Sequence, residues 1–162
     1  MQQSSFDFTF QTLVINLDRT PERTTSFVQR NNFLKDFKFI RGIDGDQCWD
    51  SIKHSSRVSS IAKKQWTRGA LGAAFSHLKC WRKCIATEKI TLVLEDDILI
   101  HPNFSNIILD LLRPLNFEFD FILLGWNIDS VLKAEITPGL QCISLFEPLY
   151  PTESEIRKIL NT

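Results

Sequence analysis

"TLVINLDRTPER", Thr12 to Arg23, reads as a strand, a turn and the start of a helix. The run Thr12 to Asn16 is short, apolar and rich in β-branched residues, the pattern of a buried strand. Thr20 is placed to cap a helix that starts at Pro21, where no amide hydrogen is needed, and Glu22 suits the positive end of the helix dipole. The spacing predicts a helix from Pro21 to about Asn31. A second strand, "FKFIRGIDG", then stops at Gly42 to Gly45. Strand, helix and strand in this order imply parallel pairing through a right-handed crossover. The chain therefore opens as a βαβ unit of an α/β fold.

Further along, Asp46 to Trp66 is polar and irregular and is expected to be a long loop with at most one helical turn. Thr67 caps the next predicted helix, in which Leu71, Ala74, Phe75, Leu78, Trp81 and Ile85 recur at three- and four-residue steps as one apolar face. "ITLVL" is the next strand, and "NFSNIILDLL" is a helix between Pro102 and Pro114. "FDFILLG" reads as another buried strand, "LQCISL" as a weaker one, and "ESEIRKIL" as a terminal helix. No repeat, low-complexity tract or linker interrupts the chain, so residues 1–162 are expected to form one domain.

Composition narrows the function classes. The chain has 162 residues and is 43% hydrophobic, enough for a real core. Its 19 basic and 19 acidic residues balance, which argues against a nucleic-acid partner. The N-terminus "MQQSSFDFTF" lacks a basic start with a long apolar region, and no apolar run approaches the roughly 20 residues that span a bilayer. The expected location is cytoplasmic, with peripheral membrane contact if the substrate is lipid-linked. Cys48, Cys80, Cys84 and Cys142 form no CxxC pair, so free thiols are expected rather than zinc ligands or disulfides.

The chemistry concentrates in "TLVLEDDILI", Thr91 to Ile100. Ligands bind outside the carboxyl ends of strands in open α/β sheets, where Glu95, Asp96 and Asp97 fall. If strand geometry continues through them, Glu95 and Asp97 point the same way, with α-carbons about 6.5 Å apart, and Asp96 points opposite. Two carboxylates so placed can flank Mg²⁺ or Mn²⁺, with substrate phosphates completing the shell. A solvated strand end that caps the next turn is the plainer reading of the triplet alone. A phospho-signalling receiver domain also carries paired acids after its first strand. Such a domain would begin with this strand and end a later one in Asp, whereas Asp120 starts its strand and Asp129 follows none.

Three stretches in order, "VINLDRTPER", "FIRGIDG" and "WTRGALGAAFSHLKCWRKCIATEKITLVLEDDILI", resemble glycosyltransferase family 25, which includes lipopolysaccharide-type sugar transferases and collagen galactosyltransferases. The resemblance runs from about residue 12 to 125. It implies a GT-A-like, Rossmann-like sheet, a UDP-sugar donor carrying galactose or glucose, Mn²⁺ or Mg²⁺, and inverting transfer to a saccharide, lipid-linked saccharide or other hydroxyl acceptor. In the matching positions, Asn16, Asp18, Arg19 and Arg23 are candidates for base, ribose and phosphate contacts, the arginines through their guanidinium forks. Asp44, between two glycines, is a candidate for a ribose hydroxyl, with a plain turn-forming Asp as the alternative. Thr67 and Arg68 open a helix whose N-terminus can face phosphates. Ser76 and His77 lie inside that helix as candidates for donor contact, with a core or capping histidine as the alternative for His77. Glu95 and Asp97 are the expected metal ligands, and Asp96 a ribose or second metal contact.

Two departures from the family pattern bear on activity. Ala70 stands where the family usually has Glu, and the family pattern continues beyond Thr162, so the chain reads as a C-terminally short member. Inversion needs a general base, which the sequence does not identify; Asp129 and Glu135 are the remaining acids. The alternative to an active transferase is a nucleotide- or partner-binding remnant of the same fold. The open edge of a short sheet would favour self-association.

Overall fold

The first strand, β1 (Gln11–Asn16), is buried along nearly its whole length, as a central strand covered on both faces must be. It is flanked by β2 (Phe37–Arg41) and β3 (Thr91–Glu95), both parallel to it, in the order β2-β1-β3. This is the βαβ opening expected from the sequence, within a small Rossmann-like α/β sheet. The structure is a computed structural model and describes residues 10–115, 119–125, 132–137, 140–144 and 152–160. By contacts it divides into two compact units, Met1–Arg113 and Pro114–Thr162.

Alternation along β1 distributes its side chains between two cores. Val14 joins Phe27 of α1 (Pro21–Arg30), Leu94 and Ile100, with Phe37 and Phe104 packed alongside. Leu13 and Ile15 join Cys80 on the other face, together with Val93 and Ile40. Phe27 meets Phe37 and Phe39 edge-on, at ring-centroid distances of 5.5 and 5.9 Å. Thr20 stands at the start of α1 without capping it, because its hydroxyl donates back to the Leu17 carbonyl instead.

Between β2 and β3 the chain is more ordered than expected. The stretch read as a loop forms α2 (Trp49–Lys53) and α3 (Ser60–Gln65). Ile52, Val58 and Leu71 make a third apolar cluster there, so burial supplies the helix stability that local polarity concealed. Helix α4 (Arg68–Thr87) follows, capped by Thr67, whose Oγ1 accepts from the Ala70 amide as expected.

The face that α4 turns to the sheet corrects the periodicity reading. Gly72, Ser76 and Cys80 are buried, whereas Trp81 and Ile85 are 49% and 75% exposed. Leu71 and Phe75 do pack, but against the α2–α3 cluster. Closeness of backbones decides this. A Cβ on Gly72 would lie 2.5 Å from the Ile43 carbonyl oxygen, and one on Gly45 would lie 1.8 Å from that of Arg68. Ser76 Oγ donates to the Gly72 carbonyl and accepts from the Ile43 amide. Only small residues permit this approach.

Helix α5 (Phe104–Leu112) closes the first unit. In the second, "FDFILLG" is not a strand: Phe121 and Leu123 are 65% and 69% exposed. The apolar run has no partner strand among the described residues, and hydrophobicity without a ladder does not make a strand. An antiparallel hairpin of β4 (Leu132–Thr137) and β5 (Leu140–Ser144) is present, the latter as expected, followed by α6 (Glu153–Leu160). Asp129 lies outside the described residues.

The packing of α4 makes a stability prediction. Gly72→Ala should cost about 1–3 kcal/mol by overpacking against backbone. Ser76→Ala, which orphans the part-buried Ile43 amide, should cost a similar ~1–3 kcal/mol. Urea midpoints of the two variants, with unchanged slopes, check both.

Candidate functional site

The three parallel strands end on one side, and the strand order places β2 and β3 on opposite sides of β1. Such a reversal opens a crevice at the carboxyl ends of the strands. A cleft of about 120 Å³ lies there, walled by Ile15 and Leu17 at the end of β1, Ile43 to Asp46 after β2, Gly69, Ala73, Ser76 and His77 of α4, and Glu95 to Asp97 at the end of β3. Arg19 and Arg23 complete the lining. Pockets for whole small-molecule ligands run to roughly 300–1,000 Å³, so this cleft admits a phosphate-sized group or part of a larger ligand.

Each acid in the cleft has a partner, and two of them share one. Glu95 Oε1 lies 3.0 Å from His77 Nε2. This contact holds the Glu95 carboxyl below its ordinary range, against the opposing effect of partial burial. Asp96 is nearly fully buried and accepts from Asn16 Nδ2. Arg23 Nη2 sits 2.6 Å from Asp96 Oδ1 and 2.7 Å from Asp97 Oδ2. Asp44 Oδ2 pairs with Arg19 Nε at 3.0 Å, while its Oδ1 accepts from the Asp46 and Gln47 amides.

β3 ends at Glu95, and Asp96 and Asp97 lie in a turn, so strand alternation does not govern them. Glu95 and Asp97 consequently face different partners, and the carboxylates that converge are Asp96 and Asp97. Among the described residues no group of three or more His, Cys, Asp or Glu is placed to hold a metal ion. With Glu95 on His77 and the other two on Arg23, the acids as arranged do not fit a bound cation.

Of the residues singled out in the sequence, the cleft gathers Arg19, Arg23, Asp44, Ser76, His77, Glu95, Asp96 and Asp97. Four are elsewhere. Asn16 supports Asp96 from behind and also reaches the Thr20 carbonyl. Asp18 pairs with Arg41 at 2.7 Å on the surface. Thr67 is the α4 cap, and Arg68 lies over the Trp49 ring at 4.9 Å. The hydroxyl of Ser76, although in the cleft wall, is committed to backbone.

Two supporting residues were not legible in the sequence. Buried Asn31 donates to the Phe27 and Ile98 carbonyls and accepts from the Ile100 amide, fastening the end of α1 to the segment after the acids. Arg30 donates to the Asp96 carbonyl. Both belong to "VQRNNF", where nothing local marks them. Asp46 was also missed, although it follows the glycine turn directly.

Comparison with known proteins places these residues in a family context. The family model described as glycosyltransferase family 25 (LPS biosynthesis protein) matches residues 10–147. A protein of Aedes aegypti named as a glycosyltransferase 25 family member is 34% identical over 103 residues, which are 57% of this chain and 17% of that one. A protein of Acanthamoeba polyphaga mimivirus named as a glycosyltransferase is 28% identical over 149 residues, 85% of this chain and 44% of its own length. The chain thus spans less than half the length of either relative. No solved structure matches.

The His77–Glu95 contact has a pH signature. A carboxyl held below its unfolded value contributes stability above the ordinary carboxylate range and loses it as pH falls through the folded value. Both side chains are partly exposed, so the contribution is small. His77→Ala should move the Glu95 titration up toward its ordinary range. Carbon NMR of the Glu95 carboxyl reads this, and an unmoved titration would rule the contact out.

Proposed function

The chain belongs to glycosyltransferase family 25, and from that premise we propose that it binds a nucleotide-diphosphate sugar in the cleft and transfers the sugar to a hydroxyl acceptor. The finer reading is a GT-A-like donor site for UDP-galactose or UDP-glucose, with inversion at the anomeric carbon. The observation that carries it is Arg19, a half-exposed guanidinium oriented by Asp44 at the crevice where the strand order reverses. A fork held in this way is suited to the oxygens of a diphosphate.

In such a transfer the acceptor oxygen attacks the anomeric carbon, the bond to the diphosphate breaks with its electron pair on the leaving oxygen, and a base takes the acceptor proton. Arg19 stabilises the charge that grows on the leaving group. Asp44 is a positioning residue, since both of its oxygens are already engaged. Ile15 and Leu17 give the cleft an apolar floor that strengthens charge interactions above it. The supporting fact for a saccharide acceptor is the description of the family as an LPS biosynthesis protein family.

A second reading, nucleotide binding without turnover, is favoured by the pairing in the cleft. Glu95 is joined to His77, Asp44 to Arg19, and Asp96 and Asp97 to Arg23, which leaves Asp46, 3.6 Å from Arg68, as the loosest-held carboxylate there. Neither reading involves a membrane span, and no described helix is long and apolar enough to cross a bilayer.

Calorimetry with UDP tests the donor site. Arg19→Ala should weaken binding about tenfold, equivalent to about 1.4 kcal/mol. Absence of UDP binding by the wild-type chain would sink both readings. Release of UDP from UDP-galactose or UDP-glucose in the presence of saccharide acceptors then separates transfer from binding alone.

A further inference from the structure

We infer that Arg23 is a tethered cation for Asp96 and Asp97, so that a divalent ion reaches these two carboxylates only by displacing the guanidinium. The two acids converge on a single nitrogen, Nη2, at 2.6 and 2.7 Å. That point is where a small cation would sit if the same oxygens were to share it. One position cannot hold both charges.

Burial explains why the place is filled. The Asp96 side chain is 6% exposed, and a carboxylate removed from water is costly unless it is paired and hydrogen-bonded. Asn16 supplies a neutral donor and Arg23 the charge. Asp97, at 59% exposure, would be comfortable in solvent alone, yet it turns to the same nitrogen. Arg23 lies in the first turn of α1, directly after Pro21 and Glu22, and α1 is anchored at its other end by Asn31. The helix therefore delivers the guanidinium to a defined place.

Arg23 also lines the cleft. An anionic diphosphate is the class of ligand that competes with carboxylates for a guanidinium. Cation binding to Asp96 and Asp97 is in this way conditional on something drawing Arg23 aside, which differs from a preformed metal site that fills whenever the ion is present.

The test is Mn²⁺ binding to the purified full chain without nucleotide, read by electron paramagnetic resonance. Its outcome is thus separate from that of the UDP measurements, and either can fail alone. Arg23→Gln keeps a donor but removes the charge and should tighten Mn²⁺ at least about tenfold, as relief of a competing unit charge at this distance requires. Arg23→Lys should stay near wild type, and adding Asp97→Asn to Arg23→Gln should abolish the gain. Equal Mn²⁺ affinity of wild type and Arg23→Gln overturns the inference. Should Arg23→Gln fail to fold, the Arg23 Nε–H resonance of the wild-type chain serves instead. It should shift as Mg²⁺ saturates binding, and a resonance unmoved at saturation overturns the inference equally.

Discussion

The approach of the turn after β2 to helix α4 is the constraint on which the rest of the first unit depends. Backbone meets backbone at Gly45 and Gly72, and Ser76 closes the gap by bonding to both sides of it. Because the contact is between main chains, it sets the height and rotation of α4 more rigidly than apolar side chains could. Thr67 and Gly69 then fall beside the turn, Cys80 reaches the sheet, and His77 comes within hydrogen-bonding distance of Glu95. The cleft adjoins this packing, since Gly45 and Ser76 belong both to the close approach and to the cleft lining.

The second organising feature is charge. Three consecutive acids at a strand end repel one another, and the fold resolves this by giving them separate or shared partners. Glu95 goes to His77, while Asp96 and Asp97 share Arg23. The arrangement is held from behind by Asn31 and Arg30, which fasten the main chain around the acids to α1. Helix α1 thus supports the acidic turn from both ends, with the Arg23 guanidinium at its start and Arg30 and Asn31 at its end. Arg19 is left as the half-exposed cation of the cleft, steadied by Asp44.

Much of the architecture could be read in advance because it follows from local rules. Pro21 after a β-branched run, glycines ending the second strand, and Thr67 before a long helix each carry a physical signal that neighbours do not override. The misreadings share a cause. Helices α2 and α3 are stabilised by burial of Ile52 and Val58 against Leu71, a contact invisible in a polar stretch. "FDFILLG" has the composition of a strand, but a strand exists only with a partner, and composition does not provide one. The apolar periodicity of α4 pointed to Trp81 and Ile85, although the sheet needed Gly72, Ser76 and Cys80.

For the site, the sequence by itself determined which segments arrive at the crevice. Residues after β1, β2 and β3 must gather there, because parallel strands joined by helices bring their carboxyl ends together. Family membership was legible for the same reason, in the ordered motifs that those strand ends carry. Only the tertiary structure decided the pairings. Which acid meets His77, which pair shares Arg23, and that Ser76 serves the backbone depend on the turn after Glu95 and on the rotation of α4. Both are set by contacts between residues some 20 to 80 positions apart, at distances where a change of one ångström exchanges one hydrogen-bond partner for another.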